Sequence, residues 1–269
     1  MHGSMRFFCD KAPDSIQGQQ ILNVFELFSN VLGTDYELFS YILWSPDEDD
    51  DFINVSYNNT PMGKERFLNE RIIPLIKGKD GDLSAPIISA TCKCKESQIY
   101  SDIRVQIRFP VYSMPFTICA DFEEDIVNKV KYKEYIKLIC GLQKMGYSIN
   151  NGLYHVYCMK NEAETLDGGQ IGSIISCCGR KNINQCIKHR KKGGLDCLMG
   201  IYYYNTIRND LLDDTTRNRI SEIIGNNDHD ILDNTFSFAL TACDHVSSSY
   251  WIKNYQKIKT LEKELCRFT

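Results

Sequence analysis

Cysteine and histidine are the side chains in this sequence best equipped for chemistry, because thiolate and imidazole both ligate metals and both serve nucleophilic catalysis. The chain carries 12 cysteines and 5 histidines. The densest group is Cys177, Cys178, Cys186, His189 and Cys197, with Cys92 and Cys94 upstream. A structural zinc ion needs four such ligands in a tetrahedron, supplied by two closely spaced pairs. Cys186 and His189 form one acceptable pair, whereas the adjacent Cys177 and Cys178 form an awkward one. Cys92 and Cys94, two apart on a strand, would point to one face. The spacing favours thiols buried as small apolar residues. No metal and no other cofactor is expected.

For a Cys–His nucleophile the available bases are His155, His189, His229 and His245. Cys243-Asp244-His245 is the most reactive-looking run, although Asp244 serves equally well as a turn residue. His155 sits inside a strand pattern between Tyr154 and Val156, the setting of a structural histidine. Gly168-Gly169-Gln170-Ile171-Gly172 precedes a strand instead of opening a helix, so it cannot place a phosphate on a helix N-terminus. Arg180, Lys181, Lys188, Arg190, Lys191 and Lys192 form a basic stretch without interleaved aromatic residues. It reads as a solvated loop, and no nucleic-acid partner is expected. The chain is expected not to be an enzyme. The alternative is a thiol-dependent hydrolase or a zinc-dependent nucleic-acid enzyme.

Carboxylates are the other concentrated chemistry. Asp47, Glu48, Asp49, Asp50 and Asp51 are consecutive. Five adjacent charges cannot be buried without compensation, so they predict an exposed loop. Such a loop would steer a positively charged protein partner. Tyr41, Trp44 and Tyr57 are the nearby aromatic residues that could supply a desolvated anchor. These eight residues are the expected partner-binding site. Glu123-Glu124-Asp125 reads as the negative first turn of a helix. Asp213-Asp214 and Asp228-His229-Asp230 are smaller acidic groups.

The elements that must position these groups follow from periodicity. Helical spacing of Ile21, Val24, Phe25, Phe28, Val31 and Leu32 predicts a helix over 15–32, closed by Gly33. Leu38 to Trp44 is a strand or a short helix, and 63–76 a polar helix. Strands are expected over 85–94, 98–109 and 116–120. In the second of these, Ile103, Val105, Ile107 and Phe109 alternate with Arg104, Gln106 and Arg108, one face buried and one wet. A single helix over 123–145 ends at Gly146. Strands follow at 153–159, 171–177, 197–207 and 236–240. A helix over 215–224 precedes the last of these, and a closing helix begins at 247–249 with Trp251, Tyr255, Ile258 and Leu265 on its inner face. Clustered strands without regular strand–helix alternation predict an α+β fold, with a mostly antiparallel sheet flanked by amphipathic helices.

The chain has 269 residues, 43% hydrophobic and 25% charged, with a formal net charge of -4. That composition is ordinary for a globular protein and does not advertise a polyanionic partner. Met1 to Ser4 reads as an expression remnant. Residues 5–269 are expected to form one domain, with a two-lobed seam near 145–151 as the other arrangement. No apolar run is long enough to span a bilayer. No membrane partner is expected, and with no signal peptide visible the chain is expected in the cytoplasm with reduced cysteines.

The order of features resembles a known family. An N-terminal amphipathic helix is followed by Leu38-Phe39 and Trp44. Late in the chain come Leu198-Met199-Gly200-Ile201-Tyr202-Tyr203, then Thr235-Phe236-Ser237-Phe238-Ala239-Leu240-Thr241, then a closing helix over 247–265. This arrangement resembles bacterial polymorphic-toxin immunity proteins, nearest the immunity protein 52 family. The family's Gly-Trp is replaced here by Gly200-Ile201. The resemblance implies a toxin–antitoxin role of the kind linked to type VI secretion. The chain would be a non-catalytic antidote, needing no cofactor. It would bind a cognate secreted toxin, a nuclease, and block its active site or substrate path.

Overall fold

The computed structural model describes residues 2–9, 18–41, 55–73, 87–93, 103–108, 116–157, 201–225, 228–241 and 253–265. These residues build an α+β fold around one antiparallel sheet. The strands are β1 (His2–Cys9), β2 (Asp35–Tyr41), β3 (Val55–Tyr57), β4 (Ile87–Lys93), β5 (Ile103–Arg108), β6 (Phe116–Phe122), β7 (Ile149–Tyr157), β8 (Tyr204–Arg208), β9 (His229–Leu232) and β10 (Thr235–Ala239). Their order across the sheet is β3-β2-β4-β5-β6-β1-β7-β8-β10-β9. Every pairing is antiparallel. The sheet runs unbroken past residues 145–151, because β7 pairs with both β1 and β8. Residues 2–4 lie inside β1, in register with β6 and β7.

Six α-helices accompany the sheet among the described residues: α1 (Gly18–Leu32), α2 (Pro61–Phe67), α3 (Glu124–Val127), α4 (Tyr132–Lys144), α5 (Asp214–Ile224) and α6 (Tyr255–Leu265). In α1 the buried residues Ile21, Leu22, Val24, Phe25, Phe28 and Leu32 make one stripe. Gly33 stops the helix in a left-handed turn at φ +69, a conformation other residues adopt only with strain. Thr60 caps α2 by accepting from the Gly63 amide, with Pro61 at the first turn, and α2 runs on into a π turn over Leu68–Ile72.

The helix expected over 123–145 is two helices. Ile126, Val127 and Val130 are fully buried, and so is Tyr135. The two stripes do not align on one helix, so the chain turns at Asn128–Lys131 to bury both. The strand expected over 197–207 is also shorter. Asn205 accepts from the Tyr202 amide at 2.7 Å and donates to the Tyr202 carbonyl at 2.8 Å, folding residues 202–205 into a local loop. β1 and β9 were not expected at all. Ile258 and Leu265 are buried as the closing-helix pattern predicts, but Tyr255 is 45% exposed.

Core residues sit on both sides of the C-terminal half of the sheet. Thr206 and Ser237 are directly paired across β8 and β10, and both turn toward α4. Phe236 and Phe238 alternate to the other face and are buried, as are Ile220 and Ile224 of α5 and Ile258, Leu261 and Leu265 of α6.

Candidate functional site

Strand alternation gives the middle of the sheet two contrasting faces. Met5 and Phe7 of β1, Ile103, Val105 and Ile107 of β5, and Ile118 and Ala120 of β6 point into the apolar core. The residues between them form cross-strand rows on the second face. One row is Thr91, Arg104, Asp121, Ser4 and His155. The next is Ser89, Gln106, Cys119, Arg6, Leu153 and Asn205. Arg108 and Thr117 start a third.

This second face was expected to be wet, and much of it is not. Ser89 and Cys119 are 0% exposed, Ser4 1%, His155 2% and Gln106 9%. Arg6, Arg108 and Asp121 are half-buried, and Arg104 is exposed. Ser4 donates to Asp121 at 2.8 Å. Arg108 donates to the Gln106 side-chain carbonyl at 2.8 Å. The sequence signal was the alternation Arg104-x-Gln106-x-Arg108. What it could not show is that Arg6, far earlier in the chain, joins them.

Burial favours the neutral forms of His155 and Cys119 on this face. Burial, with the neighbouring positive Arg6 adding to it, lowers His155 to about 3, so the imidazole is uncharged at neutral pH. Its ring meets Tyr202 edge-on at 5.7 Å. Burial raises Cys119, against the opposing pull of Arg108 and Arg6. On the core side burial pushes Cys9 up to about 12. Thiols in that state are poor nucleophiles. β1 also lies between the strands that carry Cys119 and His155. That separates their backbones by roughly 10 Å, beyond direct hydrogen-bond reach of a paired nucleophile and base.

A second feature lies at the end of the sheet. Among the described strands β9 is the last in the order, pairing with β10. Asp228, His229, Asp230 and Asp233 are exposed. Ile231 between them is 70% exposed, an unusual position for an aliphatic side chain on a strand. Asp230 and Asp228 lie close enough to α4 to reinforce the upward shift that burial gives Tyr132.

The structure treats the expected site residues unequally. Asp47, Glu48, Asp49, Asp50, Asp51 and Trp44 lie outside the described residues, and of Tyr41 only the backbone position in β2 is described. Tyr57 is buried inside the chain itself. Its ring packs at a tilt against Phe67 at 5.3 Å, its hydroxyl donates to Glu70 at 2.8 Å, and the Arg66 guanidinium lies over its ring. Cys94, Cys177, Cys178, Cys186, His189, Cys197, Cys243 and His245 also fall outside, as do the glycine-rich turn and the basic stretch. Among the described residues no group of three or more His, Cys, Asp or Glu could hold a metal ion. Cys9, Cys119 and Cys140 are free thiols. No described helix is long and apolar enough to cross a membrane.

No protein-family model matches the chain, and no curated protein matches it. A solved structure of a Pseudomonas aeruginosa T6SS protein superimposes with a TM-score of 0.48 at 9% identity, over 98% of this chain and 72% of that one.

Proposed function

We propose that the chain is a non-catalytic binding protein, an immunity-type antidote that holds a cognate protein toxin, a nuclease, and blocks its active site or substrate path. The observation that carries this reading is the terminal strand β9. An aliphatic side chain 70% exposed, flanked by the exposed carboxylates of Asp228, Asp230 and Asp233, joins an apolar anchor to a negative rim. That combination suits a protein surface evolved to attract a polyanion, since a nuclease groove is positive and carboxylates can stand where phosphates would lie. The neutral, buried state of Cys9, Cys119 and His155 supports the non-catalytic half of the proposal. The acidic run Asp47 to Asp51, with Tyr41 and Trp44, is proposed as a separate contact region, since it follows β2, near the other end of the strand order from β9.

The test is direct binding to the protein encoded beside this chain, by calorimetry and by protection of nucleic acid from cleavage. Ile231→Asp combined with Asp230→Lys should abolish binding while leaving the melting temperature within a few degrees. A separate variant with Asn or Gln at 47–51 should slow association, most at low salt. Full protection by the β9 variant would remove this edge from the interface. Nucleic-acid cleavage by the chain alone would overturn the non-catalytic reading.

A further inference from the structure

Two guanidinium groups on the second face of the sheet, those of the half-buried Arg6 and Arg108, form no ion pair among the described residues. Asp121, the carboxylate on the same face, accepts from Ser4 instead. Arg108 reaches the Gln106 carbonyl with one terminal nitrogen, while its Nε is buried without a partner. Ser89, paired in register with Gln106, is 0% exposed and its hydroxyl also has no partner. A buried polar group left unsatisfied is costly, so two such groups on adjacent strands beside two guanidinium groups favour an added acceptor. The strands of Arg108 and Arg6, β5 and β1, flank β6, whose Cys119 is in register with both Arg6 and Gln106.

We propose that Arg6, Arg108, Gln106 and Ser89 form a binding site for a phosphate group on the second face of the sheet. The unpartnered Arg108 Nε and Ser89 hydroxyl can both donate. Two guanidinium forks, the Ser89 hydroxyl and the amide nitrogen of Gln106, whose carbonyl is already taken by Arg108, can surround a tetrahedral oxyanion. A carboxylate offers only two acceptor atoms and would leave part of this donor set unmet. The half-burial of both arginines fits a small phosphorylated molecule or the free ion. This site is separate from the β9 edge and stands whether or not that edge binds a toxin.

Thermal unfolding of the whole chain, with inorganic phosphate or glycerol 3-phosphate against sodium chloride at matched ionic strength, tests the proposal. The melting temperature should rise with the logarithm of phosphate or ester concentration and stay flat in chloride. A larger shift with the ester assigns a phosphomonoester, and a larger shift with phosphate assigns the free ion. Arg6→Gln and Arg108→Gln should each lose most of the shift, while Arg66→Gln, which breaks an exposed pair with Glu70, should keep it. Broadening of the phosphorus NMR line of phosphate by the wild-type protein, relieved by excess sulfate, reads the same site without any substitution. No shift beyond the chloride control together with an unbroadened line would overturn the proposal. So would an equal shift with acetate, or an undiminished shift in a folded Arg6→Gln/Arg108→Gln double variant.

Discussion

Arg6 and Phe7 are neighbours in the chain but belong to opposite faces of β1. On the core side, Phe7 stacks on Tyr135 at 5.6 Å, and Tyr135, Thr206 and Ser237 share a buried chain of hydroxyl hydrogen bonds at 2.9 and 2.8 Å. Aromatic rings close around it, with Tyr132, Tyr154 and Tyr204 within 5.3–5.5 Å of one another or of Tyr135. Polar atoms of the Tyr135 chain are matched internally. On the other side, Arg6, Arg108 and Ser89 are covered without being matched. The same strand thus carries, on one side, a hydroxyl chain completed by the protein and, on the other, a polar cluster that leaves donors over, although the core also holds the Tyr147 hydroxyl, unpartnered among the described residues. A face of the first kind serves stability, and one of the second kind keeps the capacity to bind.

Several substitutions would sharpen or break this contrast. The largest effect is expected from Phe7→Ala, which opens a cavity at a fully buried position and should cost about 3–5 kcal/mol by urea unfolding. Arg6→Gln, one residue away, should cost less than about 1 kcal/mol. Similar costs at the two positions would dissolve the distinction between the faces.

His155 gives the next largest effect, through pH. Its folded value of about 3 lies below the ordinary 6.5, so the unfolded chain binds the proton more readily between those limits. Its contribution is therefore complete above about pH 6.5 and is lost as pH falls toward 3, amounting to about 2 kcal/mol by pH 5. Denaturant midpoints for the wild type should fall between pH 7 and 5 more steeply than those of His155→Gln. Parallel slopes would show that the imidazole is not held neutral.

Thr206→Val removes the middle of the hydroxyl chain and should cost about 1.5 kcal/mol, leaving Tyr135 and Ser237 each short of a partner. The smallest effect is at the surface. Asp213 caps α5 by accepting from the Thr216 amide at 2.6 Å, and Asp213→Ala should cost about 1 kcal/mol by thermal unfolding.

What the sequence made legible follows the strength of its periodicity. α1, α5, β4, β5 and β10 show apolar residues at one clear spacing, and each lies within a few residues of its expected place. β9 was hidden because Asp228, His229, Asp230 and Ile231 are all exposed, and an edge strand without a buried face has no alternation to read. The break between α3 and α4 was hidden because Val130 and Tyr132 are both apolar, and only their burial shows that they belong to different stripes. The second-face cluster was half visible. Arg104, Gln106 and Arg108 stood out as an alternating set, but Arg6 and Ser89 reach them only through strand order. No local pattern encodes which strand lies beside which.

β1 also has a consequence for how the molecule is assembled. Ser4 meets Asp121 across a separation of 117 residues. In the sheet, β1 is the one strand that joins the five-stranded half ending at β6 to the four-stranded half beginning at β7. During synthesis it leaves the ribosome well before either neighbour, β6 or β7. Contacts of that range are slow to form, since the loop must close before they reward it. The two halves can each pair their own strands beforehand, leaving a slot one strand wide. A synthetic peptide with the sequence of residues 2–9 would therefore be a competitor for that slot during refolding, and a way to time the moment at which the sheet becomes whole.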